Sequence, residues 1–359
     1  MATVHHSRSG NRRPTLEEVA RLAGVGRGTV SRVVNGSPRV SARTRGLVEE
    51  AIAELGYVPN RAARALAAGT TDAVALVVPE AETRFFAEPY FPGILRGVSA
   101  ELAARDTQLL LTLIRDERER ERFAQYAASH RVDGALLVSM HGDDPLPELL
   151  AEHGLPVVLN GRRSATESLP HVDTDNTAGA RSAVEHLLRT GRGTVATIGG
   201  PADMFVARCR AAGYREALRA AGREVDERLV LSGDFTEEGG YRAMRRLLEV
   251  EPRLDAVFCA SDVMAAGARL ALRESGRRVP EQVALVGFDD SAIARHMDPP
   301  LTSVRQPIEE MGREMVRVLW ELRDAQAALS AGDVPVAGPT GADSPRRVLP
   351  TELVRRSSS

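Results

Sequence analysis

Lysine is missing from this chain: all 47 strongly basic residues are arginines. That choice reflects a GC-rich genome more than a binding demand, and no function is read from it. Cysteine is nearly absent. Cys209 and Cys259 have no metal-ligand spacing and cannot form a disulfide scaffold, so they read as buried thiols of a reducing compartment. No run approaches the roughly 18 apolar residues of a membrane-spanning helix. The polar, arginine-bearing N-terminus is no secretory signal, so the expected location is cytoplasmic, with no membrane partner. Catalytic groupings are lacking as well. Eight histidines are scattered, no Ser-His-Asp order is legible, and no carboxylate–histidine cluster has metal spacing, so neither an enzyme nor a metal or cofactor site is expected. Gly24-Val-Gly26-Arg-Gly28 does not follow a strand and Gly191-Arg-Gly193 is too short for a phosphate loop, so both read as turns.

What is present is an uneven charge. Residues 1–69 carry eleven arginines against five glutamates, a net of +6, while the remainder carries −8 within an overall charge of −2. A basic head on an acidic body suits a chain whose one end neutralises phosphates while the rest avoids them. Residues 1–13 read as a disordered arm.

The head is ordered by its sequence. Thr15 with Glu18 three residues on is a capping box, and Leu16, Val19, Ala20 and Ala23 fall on one helical face. Gly24 gives the sharp turn into a second helix, where Val30, Val33 and Val34 form the buried stripe. Arg27, Thr29, Ser31 and Arg32 then face solvent or DNA. Ser41 caps a third helix with Val48, Ala51, Ile52 and Leu55 on its apolar face, ended by Gly56 and Pro59. The next stretch, Pro59 to Gly69, is Ala-rich yet only a few turns long. Isolated helices under roughly 12 residues are marginal in water, so it should be helical only when held.

From Ala73 on, apolar runs alternate with amphipathic stretches. Strands are expected over 73–79, 108–114, 134–139, 156–160, 194–199, 228–232, 255–259 and 283–288. Helices are expected over 91–105, 177–190, 207–221 and 262–275. Such alternation means parallel sheets with helices on both faces, and two groups of strands suggest two doubly wound subdomains facing across a cleft.

Thr29-Val-Ser-Arg-Val-Val-Asn-Gly36, Val40-Ser41, Leu55-Gly-Tyr-Val-Pro-Asn60 and Ala62-Ala-Arg-Ala-Leu66, in that order, resemble the DNA-binding head and hinge helix of the lactose-repressor/galactose-repressor (LacI/GalR) family of bacterial regulators. The resemblance runs to about residue 357. It implies an α/β chain with a three-helix helix-turn-helix headpiece at 14–58, a hinge helix at 59–69, and a core at 70–357 made of two parallel-sheet subdomains of periplasmic-binding-protein type. We expect crossovers near Arg162–Ser164, Ser291 and Glu321. These give an N-subdomain of 70–162 and 291–320, and a C-subdomain of 163–290 and 321–357. The tail Arg347–Arg355 is expected to return as a last strand to the second subdomain.

The resemblance also implies residue roles. Arg27 and Gly28 open the recognition helix. An arginine there can grip guanine O6 and N7, while Gly28 leaves one reading position silent. Arg32 is a second base-reading candidate. Thr15, Thr29, Ser31 and Asn35 position phosphates, Tyr57, Asn60 and Ala63 join the DNA-binding set, and Leu66 is the counterpart of an intercalating leucine. Gly26 stands where the family usually has Ser, removing one phosphate contact. For the effector, Phe235 corresponds to an aromatic platform, Arg210 to a clamping arginine and Asp289 to an acid that accepts hydroxyl hydrogens. Ser261 stands where relatives carry Asn. Phe85 and Phe86 match a segment near the cleft, with Glu88-Pro-Tyr-Phe-Pro92 longer than usual, and Asn160 and Arg162 are further contacts. An acid, a forked arginine and an aromatic face together favour a neutral carbohydrate.

The expectation is a repressor that binds a pseudo-palindromic operator as a homodimer and responds to a sugar. The alternatives are a corepressor-dependent regulator with a non-sugar effector, a sugar-binding transport receptor and an α/β enzyme. The basic head and the lack of a signal peptide argue against the receptor, and the lack of a catalytic grouping argues against the enzyme.

Overall fold

A computed structural model describes residues 14–34, 37, 39–57, 70–142, 144–330 and 344–359. The chain divides into two compact units, residues 1–71 and 72–359. In the first, α1 (Leu16–Leu22), α2 (Arg27–Val34) and α3 (Ala42–Leu55) form the expected three-helix unit. The capping box is made: Glu18 N donates to Thr15 Oγ1 at 3.3 Å, and Thr15 N donates to Glu18 Oε2 at 2.8 Å. Gly24 turns the chain with φ of +64° and Gly56 ends α3 with φ of +61°, a conformation open to glycine without steric cost. The core is small, built from Val19, Ala20, Val30, Val33, Val48, Ala51 and Tyr57.

The second unit contains two six-stranded sheets. The first has the order β11-β5-β4-β3-β1-β2, from β1 (Ala73–Val78), β2 (Gln108–Leu113), β3 (Ala135–Leu137), β4 (Val157–Asn160), β5 (His171–Thr174) and β11 (Arg346–Leu349), paired in parallel throughout. The second has the order β12-β10-β9-β8-β6-β7. Its strands β6 (Val195–Gly199), β7 (Val230–Ser232), β8 (Ala256–Cys259), β9 (Ala284–Asp289) and β10 (Thr302–Arg305) are parallel, while β12 (Glu352–Val354) runs antiparallel on β10. The runs Ala-Val-Ala-Leu-Val-Val and Ala-Leu-Val-Gly-Phe are continuous rather than alternating, because helices cover both sheet faces.

On the first sheet, α5 (Tyr90–Ala103) and α13 (Ile308–Ser330) bury one face, packing Ile94, Val98, Met315 and Leu319 on Val74 and Leu76. The other face lies under α6 (Glu117–Ala128) and α7 (Leu146–Glu152). On the second sheet, α10 (Glu237–Val250) and α11 (Asp262–Glu274) cover one face, and α8 (Asn176–Arg189) and α9 (Phe205–Ala220) the other. Two short helices, α4 (Glu82–Ala87) and α12 (Ala292–His296), complete the unit.

Helices α5 and α13 meet at backbone distance: a Cβ built on Gly97 would lie 1.9 Å from the Glu309 carbonyl oxygen. Gly97→Ala is therefore expected to lower the unfolding free energy by about 1–3 kcal/mol through overpacking, read as an earlier urea midpoint. An unchanged midpoint would mean the two helices are not in contact there.

Strand pairing moves every expected crossover. Leu159 pairs with His171, so the chain stays in the first sheet through Thr174 rather than leaving it near Arg162–Ser164. Thr302 pairs with Val286, so the return lies at Gln306 and not at Ser291. The long α13 packs on α5 and the first sheet without crossing at Glu321. The tail expected as one strand of the second subdomain is two strands, β11 in the first sheet and β12 in the second. Among the described residues the first lobe is therefore 72–142, 144–174, 307–330 and 344–349, and the second is 175–306 and 350–359. Among the described residues no helix is long and apolar enough to cross a membrane.

Candidate functional site

In the head, α2 presents Arg27, Gly28 and Arg32 to solvent with Thr29 and Ser31 half-buried beside them. Arg27 pairs with Glu17 at 3.2 Å, both side chains well exposed, a contact that solvent screening makes cheap to break. Thr15 spends its hydroxyl on the helix cap. Tyr57, expected among the DNA contacts, is instead buried with Val30 and Val48 and serves the head's small core. Asn35, Asn60, Ala63 and Leu66 lie outside the described residues, as do the hinge helix and the N-terminal arm.

The cleft lies between the carboxyl ends of the two sheets, where open α/β sheets bind ligands. From the first lobe come Asn160 ending β4, Arg162 just after it, and Asp173 and Thr174 of β5. From the second come Arg210 of α9, Phe235 after β7, Ser261 after β8, Asp289 ending β9 and Gln306 after β10. Six of the eight side chains expected at the effector are thus brought together. Phe85 and Phe86 are not. They sit on α4, where Phe85 stacks on Phe91 at 5.5 Å inside the core and Phe86 is 73% exposed. Successive helical residues point about 100° apart, so one helix cannot aim both at a cleft. The aromatics that reach the cleft from this segment are Tyr90 and Phe91, within the Glu88-Pro-Tyr-Phe-Pro92 stretch already noted as longer than usual.

Arg210 is the anchor. It is 5% exposed, with Nε donating to Asn176 Oδ1 at 2.9 Å and Nη1 to the Ala260 carbonyl at 2.6 Å. Its guanidinium lies 3.8 Å from the centroid of the Phe288 ring, and Asp289 Oδ1 is 3.9 Å from Nη1. Burial works against its charge and lowers its pKa, the Asp289 carboxylate opposing that shift. Burial likewise pushes Asp289 up to about 6 and Glu88 up to about 7. Asp262, buried at the start of α11 and facing Asp289, is pushed up to about 8. It accepts from Ser303 Oγ at 2.6 Å and from Ser291 N at 2.7 Å, pinning the turn in which Asp289 and Asp290 both have positive φ.

The hinge is hydrogen-bonded through. Thr174 Oγ1 donates to Gln306 Oε1 at 2.9 Å, and Gln306 Nε2 donates to Asp289 Oδ1 at 2.6 Å. Asp173 receives Arg162 Nε at 2.8 Å and Asn176 Nδ2 at 3.0 Å. Asn160 accepts from the Tyr90 hydroxyl at 2.5 Å, but its own Nδ2 is buried with no partner. Phe235 lies against Gly200, where a Cβ would come within 2.1 Å of its ring, and Phe205 faces Arg162.

Arg84, Glu88, Tyr90, Asp173, Asn176 and Gln306 were not singled out from the sequence as ligand contacts. Asp173 and Gln306 lie in or beside strands too short and polar to be recognised. Arg84 and Glu88 share one face of the local turn by their four-residue spacing, the only signal they gave. No group of three or more His, Cys, Asp or Glu among the described residues could hold a metal ion.

Residues 15–60 match the family model described as bacterial regulatory proteins, lacI family, and residues 184–359 match a periplasmic binding protein-like domain. The chain is 56% identical over 310 residues to the HTH-type transcriptional regulator CelR of Thermobifida fusca, spanning 86% of this chain and 91% of that one. It is 34% identical over 316 residues to the transcriptional repressor CytR of Escherichia coli K12, spanning 87% and 90%. Among solved structures it is similar to a CelR–cellobiose complex (50% identity, TM-score 0.73, 97% and 100% covered). It is also similar to the lac repressor dimer bound to operator and the anti-inducer ONPF (27% identity, TM-score 0.80, 97% and 99% covered). With a helix-turn-helix head, a two-lobed cleft and relatives of this kind along nearly its whole length, the chain belongs to the lacI family of bacterial transcription regulators.

Proposed function

We propose that this protein is a cytoplasmic transcriptional repressor that binds a pseudo-palindromic operator as a homodimer and releases it when a neutral disaccharide, cellobiose or a close glucose-based relative, fills the cleft. The observation that carries the sugar reading is the Asn160 amide, buried with an unpartnered Nδ2. It asks for an acceptor, while Asp289 and Glu88 in the same cleft offer acceptor oxygens. A hydroxyl is both donor and acceptor and satisfies the two needs at once. Phe235 and Phe205 add apolar faces suited to the CH surface of sugar rings. The similar structure of CelR with cellobiose, at 50% identity, supports a disaccharide as the sugar.

Titration of the full-length protein with cellobiose, glucose, ribose and cytidine tests this, read by calorimetry and by gel shift on palindromic DNA from the adjacent intergenic region. Cellobiose alone should bind at micromolar concentrations and dissociate the complex. Tightening of the complex by cellobiose would make it a corepressor, and preference for ribose or cytidine would overturn the disaccharide reading.

For the head, we infer that Arg27 reads a guanine, a contact worth roughly 1–3 kcal/mol against a wrong base. Arg27→Ala should relax the consensus at one symmetric pair of positions in a binding-site selection. The same consensus from both proteins would refute the assignment. Release is then a matter of coupling: closure around the sugar shifts the paired first lobes, and hinge segments that are marginal alone lose their helix and withdraw Leu66. A coupling of about 1–3 kcal/mol changes operator affinity about 5–150-fold.

A further inference from the structure

The rim of the cleft carries a chain of charged side chains that neither the cleft reading nor the family match assigns. His141 follows β3 on the first lobe, and its Nδ1 lies 2.5 Å from Oδ2 of Asp203, in the loop before α9 on the second lobe. Its Nε2 lies 3.8 Å from Glu80 Oε1. Glu80 is almost fully buried. It accepts from Ser139 Oγ at 2.7 Å and from Arg84 Nη1 at 3.0 Å. Arg84 in turn reaches Glu88 at 3.4 Å and lies 6.0 Å from the centroid of Phe235 across the cleft.

We propose that His141 is a positioning residue for ligand binding, an imidazolium clasp that ties Asp203 of the second lobe to Glu80 of the first when the cleft is shut, and so fixes the aim of Arg84 into the cleft. The claim rests on the cleft being the sugar site. Opening the lobes would separate Asp203 from His141 and cannot separate His141 from Glu80, which share a lobe.

The charge balance fits. The carboxylates of Glu80 and Asp203 hold His141 protonated up to about 9, against its cost of burial. Burial would raise Glu80, but His141, Ser139 and Arg84 outweigh it and keep its carboxyl low. Asp203 is lowered by its bond to His141. Among the described residues the charged neighbours are Glu80 and Arg84 on the β1–α4 side and Asp203 and Arg208 on the α9 side. On the α7 side is Asp144, paired with Arg120 at 3.2 Å and bonded through its N–H to the His141 carbonyl.

The sign follows from linkage. The shut form holds the His141 proton more tightly than the open form, so closure takes up a fraction of a proton. The advantage is complete below the open-form value and is lost as pH rises through about 9. Glu88 and Asp289 titrate below that window, at about 7 and about 6, while Asp262, at about 8, titrates inside it in wild type and variants alike, so the clasp is read as the difference between them.

Calorimetry of the full chain with cellobiose at pH 8, in phosphate and in Tris, counts the protons. Glu80 stays beside His141 in the open form, so wild type should take up a fraction of a proton, the share that Asp203 adds, and its affinity should fall more steeply than that of the variants between pH 7.5 and 9.5. His141→Gln and Asp203→Asn should take up less than wild type and show a shallower pH dependence, keeping only what Asp262 contributes. Equal proton uptake in wild type and His141→Gln would overturn the clasp. A folded protein that gives no heat with cellobiose sinks the disaccharide reading instead. The clasp is then decided without ligand, by NMR titration of labelled histidine. The resonance missing from His141→Gln should titrate above the ordinary imidazole range and lower in Asp203→Asn, because part of the ligand-free population is shut, and identical values in wild type and Asp203→Asn overturn the clasp. An ordinary value in both proteins overturns it.

Discussion

Arg210→Ala is expected to give a repressor that holds its operator normally and no longer lets go. The substitution removes two donated hydrogen bonds, to Asn176 and to the Ala260 carbonyl, and the cation that faces Asp289. Truncating one partner of a buried, hydrogen-bonded charge pair costs about 2–5 kcal/mol in binding, much of it from the charge left alone. Cellobiose affinity should therefore fall by about 30-fold to several thousand-fold. Asp289, deprived of its cation, should titrate above its present value of about 6, which further weakens its grip on a hydroxyl at neutral pH. Arg210→Lys keeps the charge but not the fork, so it should recover only part of the loss. Operator affinity without sugar should stay within about threefold of wild type if the first 71 residues fold as their own unit. A folded Arg210→Ala protein that binds cellobiose within twofold of wild type would remove Arg210 from the site.

The second large effect belongs to the head. Val30→Asp should abolish specific operator binding while leaving cellobiose affinity within about twofold. Val30 is fully buried in a small core that has seven buried side chains among the described residues. An unpaired carboxylate there costs several kcal/mol, and so small a unit has little stability to spare. The cleft residues all lie beyond Asp72, with their own cores, and should not sense the loss. Gel shift and calorimetry on one preparation measure both halves. Retained operator binding, or loss of sugar binding along with it, would contradict the division into two units.

Legibility in the sequence followed burial chemistry. The strands found in advance, such as Ala73–Val78 and Ala256–Cys259, are apolar runs whose continuity is enforced by helices on both sides. The strands missed, His171-Val-Asp-Thr and Thr302-Ser-Val-Arg, are just as buried. Their polar groups are met by distant partners. Asp173 is satisfied by Arg162, and Thr302 and Ser303 by Ser358 and Asp262. No local pattern announces a polar strand whose hydrogen bonds close only after folding, and the misplaced crossovers near Arg162–Ser164 and Ser291 follow from those two omissions. Phe85 and Phe86, matched to a segment near the cleft, lie on a short helix that buries one and exposes the other.

The order of residues alone settled the helical head, through its capping box, its valine stripe and its left-handed glycines, because each depends on neighbours within about four positions. It also settled the twofold α/β body and the chemical kinds of side chain at the sheet ends. Which lobe owns each segment, and which aromatic, amide and acid meet in one cleft, was decided by the tertiary structure. So was the placing of a histidine between two carboxylates, one from either lobe. Those arrangements join positions from 60 to well over 100 residues apart, and such pairings form only when sheets and hinge close together in space.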